Sequence, residues 1–198
     1  DRLCVICARG GSKGIKNKNL RTLAGKPLIH HTIEQAQKTS KIQTIAVSSD
    51  SAEILAAARA LDVDFLIDRP AELATDAAPK VPAIRHCTEV SEARSGLSFD
   101  TIVDLDATSP LRSVDDISAA IDLLETSGAP NVVSGMPSRR SPYFNLVELD
   151  ERERVKLSKK LANPIARRQD SPRCFDLNAS VFVWSRSGLF SNHDTVYQ

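Results

Sequence analysis

An excess of either charge is missing from this 198-residue chain: 26 lysines and arginines face 25 aspartates and glutamates, a formal balance of +1. That argues against a nucleic-acid or membrane-surface binder, which normally carries a basic surplus. Long hydrophobic runs are missing too. The first apolar run, Leu3 to Ala8, falls far short of the about 20 residues that span a bilayer, and no signal-peptide layout is visible. Cysteine is scarce: Cys4, Cys7, Cys87 and Cys174 are too few and too scattered for a disulfide framework. Cys4-x-x-Cys7 has the spacing of a redox or zinc pair. It lies, however, in a run that reads as a buried strand, where side chains three apart point to opposite faces. Core thiols in a reducing, cytoplasmic setting are the expectation. The chain opens on Asp1 rather than methionine, which reads as a trimmed amino end.

What is present suits a globular protein. Apolar residues make up 41% and charged residues 26%, enough for one domain with a sizeable core. Short apolar runs at Leu3–Ala8, Thr44–Ser48, Asp64–Ile67, Thr101–Leu105, Asn131–Ser134 and Ser180–Trp184 read as strands. Amphipathic stretches at Leu28–Lys38, Ala52–Leu61, Val81–Ala93 and Val114–Thr126 read as helices, the last with Ser113 and Asp116 as a start signal. The alternation implies βαβ units, hence an α/β, doubly wound, mainly parallel sheet that binds ligands at the carboxyl ends of its strands. From Pro137 to Arg173 the rhythm breaks. Phe144 to Leu149 alternates like a half-exposed strand, and Arg152 to Arg173 holds eight basic and two acidic residues. This stretch, 137–173, reads either as a solvated surface excursion or as an arm that dimerises or covers an anionic ligand.

Several chemistries find no support. No G-x-S-x-G elbow is present for a Ser-His-Asp hydrolase. His30 and His31 are adjacent on a helix and diverge by about 100°, so they cannot chelate together. His86 adjoins Cys87 on another helix, and Phe182 and Trp184 read as core. The positive signal follows the first strand: Arg9-Gly10-Gly11-Ser12-Lys13-Gly14, then Lys16, Lys18 and Asn19. Six basic residues and no acidic one fall between Arg9 and Lys26. Glycines let the backbone approach a ligand with its N–H groups, while the cations neutralise it, so a polyphosphate is expected. The spacing is neither G-x-x-x-x-G-K-[ST] nor G-x-G-x-x-G, which disfavours a Walker loop and a dinucleotide fold.

These residues, with Lys18-Asn19-Leu20 and Gly25-Lys26-Pro27-Leu28, resemble the opening of sugar-activating nucleotidyltransferases. Within them the chain resembles the acylneuraminate cytidylyltransferases, the CMP-sialic acid synthetases. Arg69-Pro-Ala-Glu-Leu-Ala-Thr-Asp76, Thr108-Ser-Pro-Leu-Arg112 and Asn178-Ala-Ser-Val-Phe-Val183 follow in the same order. Four further runs look like the bacterial branch that activates legionaminic acid, a nine-carbon relative of sialic acid. They are Lys16-Asn-Lys-Asn19, Asp104-Leu-Asp106-Ala-Thr-Ser-Pro110, Arg139-Arg140-x-Pro-Tyr-Phe-Asn-Leu146 and Phe175-Asp-Leu-Asn-Ala-Ser180. Sialic-acid members typically carry Gln-Pro at Asp106-Ala107 and Arg at Asp176.

The resemblance implies a Rossmann-like nucleotidyltransferase fold and transfer of CMP from CTP to a sugar acid, legionaminic or N-acetylneuraminic, with Mg²⁺. It implies that Arg9 and Lys18 act on the CTP phosphates, with Gly10, Gly11, Ser12, Lys13 and Asn19 completing the cradle. Arg69 and the backbone near Ala78 would read the pyrimidine. Lys80, where sialic-acid members often have serine, would add a phosphate contact. Asp106, Ser109, Asp176 and Asn178 would lie at the sugar. Arg139 or Arg140 would meet its carboxylate in a homodimer. Asp106 ends a strand where such sheets place active-site carboxylates. It reads as a Mg²⁺ ligand, a sugar contact or a turn aspartate, with Asp104 on the same face. In the family an Asp-x-Asp pair near the carboxyl end holds the catalytic metal. This chain ends at Gln198 before one appears, so either a tail is omitted or the pair is lacking, and the latter predicts binding with poor turnover. A Kdo-type synthetase and a non-catalytic nucleotide-binding module are the rival readings.

Overall fold

The computed structural model describes residues 1–11 and 14–191; Ser12 and Lys13, assigned above to the phosphate cradle, lie outside them. In chain order the strands are β1 (Arg2–Cys7), β2 (Thr22–Leu23), β3 (Lys26–Pro27), β4 (Thr44–Ser49), β5 (Phe65–Asp68), β6 (Thr101–Leu105), β7 (Asn131–Pro137), β8 (Val147–Leu149), β9 (Val155–Leu157) and β10 (Phe175–Ser185). The helices are α1 (Leu28–Lys38), α2 (Ala52–Arg59), α3 (Lys80–Ser95), α4 (Val114–Ser127) and the short α5 (Arg186–Leu189). Two compact units divide the chain: Asp1–Ser134 with Ala179–Gln198, and Gly135–Asn178. Among the described residues no helix is long and apolar enough to cross a membrane.

The first unit is built on a sheet ordered β5-β4-β1-β6-β10-β7. Strands β5, β4, β1 and β6 are parallel, and β10 runs antiparallel to β6. From β1 the chain winds outward through β4 to β5, then crosses to β6 on the other side of β1. The β1/β6 boundary is therefore where winding reverses, the place at which such sheets open a crevice beyond their strand ends. Each central strand is buried on both sides. Cys4, Ile6, Val103 and Leu105 face a core closed by Ile29 and Ile33 of α1, Ile54 of α2 and Ile117 and Ile121 of α4. Leu3, Val5, Ile102, Phe182 and Trp184 face a second core closed by Val81, Ile84 and Cys87 of α3 and Leu189 of α5. Cys4 belongs to the first core and Cys7 packs against the second, so the strand period separates the two sulfurs as expected.

The helix ends follow local chemistry. Ser113 and Asp116 exchange side-chain and backbone hydrogen bonds in a capping box that starts α4, and Gly128 at φ 67° stops it in a conformation that disfavours a β-carbon. Pro82 lies in the first turn of α3, where its missing N–H leaves no gap, so α3 begins at Lys80.

In the unit Gly135–Asn178, β8 and β9 pair as a hairpin, Val147 opposite Leu157. The strand expected from Phe144 is shorter than its alternation suggests. The carbonyl of Ser141 accepts hydrogen bonds from the amides of Phe144, Asn145 and Leu146, and Asn145 Oδ1 accepts from Ser141 N at 2.8 Å. That side-chain-locked turn takes the backbone donors a strand would need, and β8 starts only at Val147.

Candidate active site

A cavity of about 620 Å³ opens in the first unit beyond β1 and β6. Its walls include Arg9, Gly14, Lys18, Asn19, Arg69, Asp76, Ala78, Lys80 and Asp106. The residues expected at CTP from three separated stretches of sequence therefore converge. Gly10 lines an adjoining small hollow with Asn17, Ser51 and Glu53; Gly11 borders neither space. Gly10 holds the root of the loop: its amide donates to Asp50 Oδ1 at 2.8 Å, and a β-carbon there would stand 3.0 Å from Ser51 Cβ. Asn19 is buried, donates to the Arg9 carbonyl at 3.1 Å, and leaves Oδ1 without a hydrogen-bond partner among the described residues.

The cations are held differently. Arg9, half-exposed, donates to Asp76 Oδ1 at 2.8 Å and to the Thr75 carbonyl at 3.2 Å. The acid-free loop thus borrows its counter-charge from a residue 67 positions away. Arg69 is 7% exposed and fixed by Ser48, donating from Nε to Oγ at 3.1 Å and from Nη2 to the carbonyl at 2.7 Å.

Lys80 does not stand free toward the cavity. Its Nζ lies 2.6 Å from Asp104 Oδ2, 3.8 Å from Asp106 Oδ2 and 4.7 Å from the Phe182 ring centroid. Burial works against its charge, but Asp104 and then Asp106 hold the ammonium above the ordinary lysine value. Burial likewise pushes the Asp104 carboxyl up, with Lys80 opposing. At 2.6 Å the two groups offset each other's burial. Asp104 and Asp106 do share a strand face, as their spacing predicts.

Asp106 takes one of its expected roles, that of a turn aspartate. Oδ1 accepts from Thr108 N at 2.8 Å and Thr108 Oγ1 at 2.5 Å, a turn-forming arrangement, while the residue still lines the cavity. No group of three His, Cys, Asp or Glu side chains placed to hold a metal occurs among the described residues. Asp106, which lines the cavity, supplies a hard oxygen of the kind Mg²⁺ takes when phosphates complete its shell, whereas Asp104 is fully buried against Lys80. Ser109 is tied into the same turn through its amide to the Asp106 carbonyl at 3.4 Å.

Arg112, which sequence reasoning quoted without a role, organises this turn. It is 8% exposed and donates to the carbonyls of Asp106 at 3.3 Å and Ser180 at 2.5 Å, to Thr32 Oγ1 at 3.3 Å and to Gln35 Oε1 at 2.9 Å. Burial pushes its guanidinium below the usual value. Cys7 also lines the cavity, where burial raises its thiol to about 11. His30 and His31 bond separately to the carbonyls of Ala57 and Leu23, which leaves no shared metal site between them.

Within Gly135–Asn178, Arg139, Arg140 and Asp176 border a second cavity of about 620 Å³ with Tyr143, Lys159 and Arg173. Asp176 Oδ1 accepts from Ser138 Oγ at 2.8 Å. Asn178 is exposed and does not line it.

A family model described as cytidylyltransferase matches residues 3–197. The chain is 40% identical over 195 residues to the CMP-N,N'-diacetyllegionaminic acid synthase of Campylobacter jejuni, covering 98% of this chain and 81% of that protein. It has the same identity and coverage against the post-translational flagellin modification protein B of Campylobacter coli. An N-acylneuraminate cytidylyltransferase of Escherichia coli is 36% identical over 75% of this chain and 34% of its own length. Among solved structures, a CMP:2-keto-3-deoxy-manno-octonic acid synthetase complexed with CTP superposes with a TM-score of 0.64 at 18% identity, over 95% of this chain and 75% of that one. The wound sheet, its cation-lined crevice and these likenesses agree: the chain belongs to the cytidylyltransferase family of nucleotidyltransferase enzymes.

Proposed function

We propose that this enzyme transfers the cytidylyl group of CTP to a nine-carbon α-keto acid sugar of the legionaminic acid class. The observation that carries the reading is the convergence of Arg9, Lys18, Asn19, Arg69 and Ala78 on one cavity at the winding reversal, in a chain 40% identical to a CMP-N,N'-diacetyllegionaminic acid synthase. The anomeric hydroxyl oxygen of the sugar attacks the α-phosphorus, the bond to the bridging oxygen breaks, and pyrophosphate leaves, taking up the hydroxyl's proton. No covalent enzyme intermediate is required. The protein supplies alignment and cations where negative charge gathers.

Arg9 and Lys18, with Asn19, meet the phosphates; Arg69 and the backbone at Ala78 meet the base. Mg²⁺, when bound, neutralises the departing pyrophosphate, and Asp106 is the side chain assigned to it. Asp106 and Ser109 of the first unit are assigned to the sugar. The exposed Val147, Leu149 and Val155 of the β8–β9 hairpin suit a homodimer, in which Arg139 or Arg140 serves the sugar carboxylate of the other protomer. A monomer by light scattering with full activity sinks that last assignment. Four free cysteines suit a reducing cytoplasm.

Pyrophosphate release measured with CTP and a panel of legionaminic, N-acetylneuraminic and Kdo-type acids tests the whole reading. The legionaminic-type acid is expected to give the highest kcat/KM. Preference for the eight-carbon acid overturns the substrate class, and CTP binding without release from any acid overturns the activity.

A further inference from the structure

Lys80 occupies a position that general electrostatics disfavours twice. It is the first residue of α3, whose first turn contains no acidic residue, so its charge meets the positive end of the helix. Its Nζ is also withdrawn from solvent and lies over Phe182. Asp104 is equally misplaced. It is fully buried, stands in register with Val5 on one side and Phe182 on the other, and its Oδ1 has no hydrogen-bond partner among the described residues. Each group is tolerable only because the other is there. Asp106 Oδ2, 3.8 Å from the same ammonium, brings a second carboxylate to the pair. Two carboxylates and one ammonium leave a net charge of −1 beside a cavity assigned to a triphosphate; without Lys80 it would be −2.

We propose that Lys80 is a positioning residue rather than a phosphate ligand. It is the chain's built-in counter-cation for Asp104, and it leaves Asp106 to face nucleotide and divalent cation. This rests on the CTP reading above, but it assigns Lys80 to the carboxylates and not to CTP. An ammonium already in contact with Asp104 cannot swing to a phosphate without abandoning a buried charge.

The test is a double-mutant cycle on the full chain, using Lys80→Met, Asp104→Asn and both together, read by CTP binding calorimetry and by Mn²⁺ binding in electron paramagnetic resonance without nucleotide. Wild type must bind CTP; if it does not, the functional reading fails before the cycle begins. Lys80→Met is expected to lose CTP affinity by about tenfold and to gain Mn²⁺ affinity by about tenfold, the scale of coupling between groups in contact. Adding Asp104→Asn is expected to recover most of both changes, because the uncompensated carboxylate is gone. Should Lys80→Met not fold, the double variant alone carries the test. An uncharged pair of similar volume should fold and hold CTP within about threefold of wild type, since such replacements of buried ion pairs are often neutral. A double variant that is unfolded, or that binds CTP as weakly as Lys80→Met, overturns the proposal, as does an unchanged Mn²⁺ affinity in a folded Lys80→Met.

Discussion

The sheet unit and the Gly135–Asn178 unit handle the same kinds of residue in opposite ways. In the sheet unit the core side chains are fully withdrawn, Trp184, Phe99 and Ile102 among them, and two cations at the cavity are matched to carboxylates: Arg9 to Asp76, Lys80 to Asp104. In Gly135–Asn178 the hairpin leaves Val147, Leu149 and Val155 between 51% and 68% exposed, and arginines crowd one cavity. The first unit pairs these charges internally. The second leaves its apolar and basic side chains facing outward.

The largest effect that could break this contrast lies in the sheet. Trp184→Ala is expected to cost about 3–5 kcal/mol in denaturant unfolding, because a fully buried indole is lost. Leu149→Ser should instead lower the sedimentation-measured mass and leave the tryptophan environment intact. Next, Arg9→Ala is expected to lower kcat/KM for CTP by about a hundredfold with the melting temperature within a few degrees of wild type, since the side chain is half-exposed. A drop in stability of the same order would mean that Arg9 serves the fold rather than the phosphates. Ser113→Ala removes one arm of the capping box and should cost about 1 kcal/mol of stability with no change in KM.

The smallest effect concerns acid. Hydrogen bonds from Arg186 to Glu92 and from Arg2 to Glu125 hold those carboxyls below the ordinary glutamate value of 4.5, and Ser113 holds Asp116 below 3.8. A lowered carboxyl stabilises the fold above its unfolded value and loses that contribution as pH falls through the folded one. The melting temperature should therefore be flat near neutrality and begin to fall below about pH 4.5. Solvent screens these half-exposed pairs, so the decline should be shallow.

Much of the sheet was legible because buried strands and amphipathic helices write their periods into local sequence. α1 spans Leu28–Lys38 as its pattern predicts, and the Ser113–Asp116 signal starts α4. The loop of glycines and cations was legible for a similar reason: its residues are contiguous. What could not be read depends on side chains that meet across long separations. Nothing near Arg9 announces Asp76, and nothing near Lys80 announces that its partner is a buried strand carboxylate 24 residues on. The strand expected from Phe144 is cut to Val147–Leu149 for the converse reason. Alternation marked a half-exposed strand, but residues 144–149 are all exposed, and Ser141 and Asn145 had already claimed the backbone before Val147.

Cys7 offers a chemical handle on the cavity it lines. With its thiol raised to about 11, roughly one molecule in ten thousand carries the reactive thiolate at neutral pH, so alkylating reagents should label it sluggishly and only in alkaline solution. Occupancy of the crevice by nucleotide then becomes readable as shielding of Cys7, resolved by peptide mapping from the other partly exposed thiol, Cys174.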